Sequence, residues 1–225
     1  PTGISGLGNE AVTIVESTNT AVADANLINA ATTGVVTATL ASGSMSELAN
    51  LTGDENQVYT ITITDSSVNA SEISTLENKT SVALNLSNVS TIVGTDGEIK
   101  AVYVLDQNGD VSGLGNEALS VSNTSTITEL NDLDLETTGV ITSTVESGNA
   151  STMSSLTNAN SNNAYSYTLT DTSIAASTLN TLDAATAGTI TVSATTITGL
   201  AADIATVATA DANGTLVLNA DFGAT

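Results

Sequence analysis

The chain has 225 residues, with 24 Asp and Glu against two Lys and Arg, no His, and a formal charge of -22 at pH 7. A surface this acidic has no Lys and Arg clusters to displace counterions from nucleic acid and is repelled by anionic lipid, which excludes both as partners. Charged residues are only 12% and hydrophobic residues 40% of the chain, which excludes a disordered acidic tail.

The apolar residues are mainly Ala, Val, Ile and Leu, with 2% aromatics and no Trp. Side chains this small fill thin layers and favour a narrow stacked body. A single Pro leaves long rows of backbone N–H groups available for pairing. There is no Cys and hence no disulfide framework. No apolar run reaches the roughly 18 residues needed for a spanning helix, so no membrane insertion is expected. A chain that starts at Pro1 without Met reads as a mature or excised form.

The first phrase, SGLGNEAVTI at 5–14, reads as a glycine turn entering a strand over 11–14, and it returns as SGLGNEALSV at 112–121. ATTGVVTATLASG at 31–43 likewise returns as ETTGVITSTVESG at 136–148, and the stretch 62–81 returns at 168–187. The second half is therefore a copy of the first at an offset of about 105 residues, with blocks predicted at 1–110 and 111–225.

Within each block a shorter period of about 25 residues recurs. Strands are predicted where apolar and hydroxyl residues alternate: from Val35, Val58, Val82, Val140, Tyr165 and Thr189, with a last strand over 215–219. After each comes a polar turn and then two apolar residues three apart. These pairs are Ala25/Ile28, Leu48/Leu51, Ile73/Leu76, Ile99/Val102, Leu130/Leu133, Met153/Leu156, Leu179/Leu182 and Ile204/Val207. Such spacing puts both side chains on one face of a short helix. Ser44 with Glu47 forms a capping-box pattern, and Gly34, Gly53, Gly139 and Gly188 read as helix C′ glycines.

One strand-turn-helix unit cannot bury its own apolar face, whereas stacked units share a core. The predicted fold is an α/β solenoid of eight strand-turn-short-helix coils with a parallel β-sheet on one side. An all-β parallel β-helix and a pair of β-sandwich domains are the alternatives. Neither end reads as a polar cap, so the expectation is either a piece cut from a longer array or head-to-tail contact into a homo-oligomer or filament.

The stretch 170–207 and the phrase GISGLGNEAVTI at 3–14 resemble repeats of giant extracellular, adhesin-like surface proteins of marine cyanobacteria and related bacteria. The resemblance covers most of the chain, is weaker in the first half, and implies an extracellular or cell-surface location with a structural or adhesive role. It transfers no catalytic residues. Without His or Cys, no Ser-His or Cys-His pair can form, and no enzyme activity is expected.

DQNGDVSGLGNE at 106–117 is the one motif with ligand chemistry. Asp106, Asn108, Asp110 and Glu117 stand at positions 1, 3, 5 and 12 of an EF-hand-type loop, oxygen donors suited to Ca²⁺. Position 6 is Val111 where that loop needs Gly, and an acidic turn through Asn-Gly is the plainer reading. Tyr59, Tyr165 and Tyr167, on equivalent strands of the two halves, are the only aromatic candidates for a surface-glycan site.

Overall fold

The computed structural model describes residues 6–16, 18–158, 162–219 and 223–224, so the opening of the first phrase and part of the last turn lie outside the described residues. The chain divides into two compact units, Pro1–Glu117 and Ala118–Thr225. Both are mixed α/β, and every strand pair described within them is parallel. Helices in each unit and parallel pairing exclude the all-β and sandwich alternatives.

The first unit runs β1 (Val12–Thr13), α1 (Val22–Asn29), β2 (Val36–Thr39), α2 (Met45–Leu48), β3 (Val58–Thr60), β4 (Ser67–Asn69), α3 (Ala70–Glu77), β5 (Leu84–Asn85), β6 (Thr91–Gly94), α4 (Asp96–Asn108) and β7 (Val111–Ser112). Its strands pair β1-β2-β3, β4-β6 and β5-β7. The second unit runs β8 (Ala118–Ser125), α5 (Ile127–Leu133), β9 (Ile141–Val145), α6 (Ala150–Met153), β10 (Ala164–Leu169), β11 (Ser173–Ala175), α7 (Ala176–Ala184), β12 (Ile190–Val192), β13 (Thr196–Thr198), α8 (Ala201–Asn213), β14 (Leu216–Leu218) and β15 (Gly223–Ala224). Its strands pair β8-β9-β10-β12-β14 and β11-β13-β15.

Each strand alternates inward and outward residues. In β9, Ile141, Ser143 and Val145 are buried and Thr142 and Thr144 exposed. The expected helix pairs supply the facing layer: Leu48/Leu51, Ile73/Leu76, Ile99/Val102, Leu130/Leu133 and Leu179/Leu182 are all buried. Ile28, Leu156 and Ile204 are only half-buried.

Three expectations need correction. The chain places a second short strand before several helices (β4, β6, β11, β13), so a repeat there is strand, turn, strand, helix. Each of these carries one buried apolar residue, Val68, Ile92, Ile174 or Ile197, and a single apolar position has no period to read. Next, the unit boundary falls after Glu117 instead of at 110, because β7 pairs with β5 inside the first unit. Finally, Gly34, Gly53, Gly139 and Gly188 cap no helix; α1, α2, α5 and α7 close at Ala30, Ala49, Asp134 and Ala185. A Cβ on Gly34 would stand 2.4 Å from the Glu10 carbonyl oxygen, and one on Gly188 would stand 2.4 Å from that of Tyr165, so close backbone approach between coils requires them. The left-handed helix caps are Gly109 and Gly214, ending the two 13-residue helices α4 and α8.

Candidate functional site

The Asp106–Glu117 stretch forms no loop of the expected kind. Asp106 and Asn108 lie in the last turn of α4, Gly109 closes that helix at φ 86°, and Asp110 follows before β7. Asn-Gly serves there as a left-handed helix terminus, the alternative use of the same dipeptide. Glu117 is fully buried; its carboxylate accepts from the Tyr103 hydroxyl and from the amides of Gly115 (2.7 Å) and Asn116 (3.0 Å). A buried carboxylate requires such donors. The four residues are therefore not brought together, and among the described residues no group of three or more Asp or Glu side chains is placed to hold a metal ion.

The tyrosines proposed as a sugar platform face inward. Tyr59, Tyr165 and Tyr167 are 0%, 1% and 5% exposed. Burial, with the Asp134 carboxylate nearby, holds the Tyr165 phenol far above its ordinary range, although the hydrogen bond with Asn163 acts the other way. Burial and then Asp183 push Tyr167 up to about 12. Tyr165 Oη accepts from Asn163 Nδ2 at 3.0 Å, whereas the buried Tyr59 hydroxyl has no partner.

The polar side chains that do converge join one sequence repeat to the next. In the first unit, Thr80 Oγ1 accepts from the Tyr59 amide (2.9 Å) and donates to the Tyr59 carbonyl (2.8 Å). In the second, Thr186 Oγ1 makes the same two bonds to Tyr165, at 2.8 and 2.9 Å. Thr32 Oγ1 donates to the Glu10 carbonyl at 2.6 Å. Buried side-chain amides do related work: Gln57 accepts from the Val36 amide (2.6 Å) and Asn163 from the Ile141 amide (2.8 Å).

Carboxylates reach back to the preceding helix. Asp65 accepts from the Met45 amide (2.6 Å) and Asp171 from the Ala150 amide (2.7 Å), satisfying first-turn donors of α2 and α6. On the helix side, Asn26 bonds Asn50 and Thr52 while Asn131 bonds Ser155 and Thr157, in matching geometry. Sequence reasoning missed these residues; the available signal was their retention as polar residues at corresponding places of both copies.

Two apolar crevices also correspond. One of about 160 Å³ lies between α2 and α3, lined by Met45, Leu48, Leu51, Leu76 and Lys79 among others. One of about 90 Å³ lies beside α6 and α7, lined by Met153, Leu156, Tyr165, Tyr167 and Leu182 among others. Both arise because α2 and α6 have four residues each and leave part of the next helix uncovered.

Among the described residues, no helix is long and apolar enough to cross a membrane. No protein-family model, curated protein or solved structure matches this chain.

Proposed function

We propose that the chain is a module of an extracellular structural protein, an α/β solenoid serving a surface filament, sheath or giant adhesin and associating with further copies end to end. The carrying observation is the recurrence, in both units, of side chains devoted to joining consecutive coils: Thr80 and Thr186, Gln57 and Asn163, Asp65 and Asp171, Asn26 and Asn131. A duplicated unit whose recurring polar residues serve stacking supports a scaffold, since repeat arrays gain stability from nearest-neighbour contacts. The acidic exterior keeps such modules hydrated and limits sideways clumping. The reading includes no catalytic step and no nucleic-acid partner.

Electron microscopy of the purified chain tests it. Filaments at moderate salt are expected. Particles that stay single at all concentrations, together with selective binding on a glycan array, would replace the scaffold with a glycan-binding module.

A further inference from the structure

The outward face of the second unit's sheet is rich in hydroxyl side chains, interrupted by Ala164 and Val217, and its strands carry no charged residue. Thr124 pairs with Thr144, and Thr144 with Ser166. The Thr189 amide donates to Ser166 Oγ at 3.0 Å, which carries the row onto the next coil. A second row runs from Thr168 to Thr191 and on to Val217. Thr142, Thr144, Thr189 and Thr191 are exposed, and Ser166 and Thr168 are half-buried.

Charge is absent from these rows by placement. β8, β9, β10, β12 and β14 contain no Asp, Glu, Lys or Arg, in a chain of charge -22. Among the described residues the acids of this unit fall elsewhere: Glu129 and Asp132 on α5, Asp134 and Glu136 just after it, Asp183 on α7, Asp203 and Asp211 on α8, and Glu146 and Asp171 in the turns that follow β9 and β10. Alternation alone does not require this, because outward strand positions also accept Glu or Lys, although less readily than Thr.

Neighbouring strands in a parallel sheet repeat about every 4.8 Å, and alternate residues along a strand about every 6.6 Å. Threonines on that grid present a methyl and a hydroxyl at each point, at intervals comparable to the oxygen repeats on a prism face of ice. Charged groups keep a mobile hydration shell that a crystal of water cannot incorporate, so a neutral face is the complementary one. A crystalline polysaccharide would call for exposed aromatic rings, and the tyrosines of β10 point into the core. We infer that the outward face of β9, β10, β12 and β14 adsorbs to ice. The inference stands apart from filament assembly.

The test uses the intact chain in a frozen-sucrose recrystallisation assay and in single-crystal ice growth. T144Y and T191Y block the face; A208Y places the same ring on the exposed side of α8. Thermal melts establish that all three fold. The expected result is that the unmodified chain and A208Y halt grain growth and facet the crystal, while T144Y and T191Y lose both effects with unchanged melting. Inactivity of the unmodified chain, or full activity of folded T144Y and T191Y, would overturn the inference. So would saturable binding to cellulose or chitin particles without any effect on ice, which would give the face to a polysaccharide.

Discussion

The hydroxyl of Thr186 accepts a hydrogen bond from the Tyr165 amide and donates one to the Tyr165 carbonyl, at 2.8 and 2.9 Å, across 21 positions of sequence. One side chain thereby replaces a backbone ladder pair at the mouth of β10. Thr80 does the same for Tyr59 in the first unit. Thr80→Val keeps the shape but leaves the buried Tyr59 amide and carbonyl without this partner. It should cost about 1–3 kcal/mol in chemical denaturation, with Thr80→Ser recovering most of it. Equal stability of the valine and serine variants would contradict the assignment.

Gly188 and Gly97 make a second pair of opposites. Gly188→Ala drives a Cβ to 2.4 Å from the Tyr165 carbonyl, so the coils must separate and the melting temperature should drop sharply. Gly97 sits in the first turn of α4 with open space around it, and Gly97→Ala should stabilise by up to about 1 kcal/mol. Melts of the two variants should move in opposite directions.

The tyrosines separate packing from hydrogen bonding. Tyr59 buries a hydroxyl with no partner, so Tyr59→Phe should be neutral or stabilising. Tyr165→Phe removes the acceptor of Asn163 Nδ2 and should destabilise by about 1 kcal/mol. Denaturant midpoints of both variants decide this.

The same burial fixes the alkaline limit. Tyr167 is pushed from its ordinary 10.0 up to about 12 in the folded chain, and Tyr165 also stands well above its ordinary value. Because the folded pKa is raised, this stability is full below the ordinary value and is lost as pH climbs through about 12. Tyrosinate absorbance should therefore rise together with the loss of circular dichroism. Complete ionisation with the far-ultraviolet spectrum intact would show that these rings are not buried.

In acid the capping boxes act with the opposite sign. The Glu47 carboxyl is held below its ordinary range chiefly by the hydrogen bond from the Ser44 amide, then by the Ser44 hydroxyl. A depressed folded pKa gives stability that is present above the unfolded value and lost as pH falls through the folded one. The melting gap between wild type and Glu47→Gln should be widest near neutrality and close in acid. A gap independent of pH would contradict the charge-assisted cap.

How much of this was legible in sequence depended on period. The aliphatic pairs Ile73/Leu76 and Leu179/Leu182 repeat at helical spacing, and each lands in the core as expected. The strand starting near Val82 was visible as alternation but shortens to Leu84–Asn85, since pairing with β7 sets its length. Asp106 and Glu117 misled because ligand spacing counts residues along a loop, whereas α4 continues to Asn108 and Glu117 turns inward to Tyr103. Asp171 and Asn163 carry no local signal, because their partners Ala150 and Ile141 belong to the preceding coil.

The central claim is that coils within a unit are stabilised by their neighbours, and native-state hydrogen exchange on Leu179→Ala tests it most directly. Leu179 is fully buried in α7, and its truncation should cost about 2–5 kcal/mol. Amides of β10 and β12, including Tyr167 and Ile190, should lose protection together with those of α7. Faster exchange confined to α7, with both strands protected as before, would contradict the account.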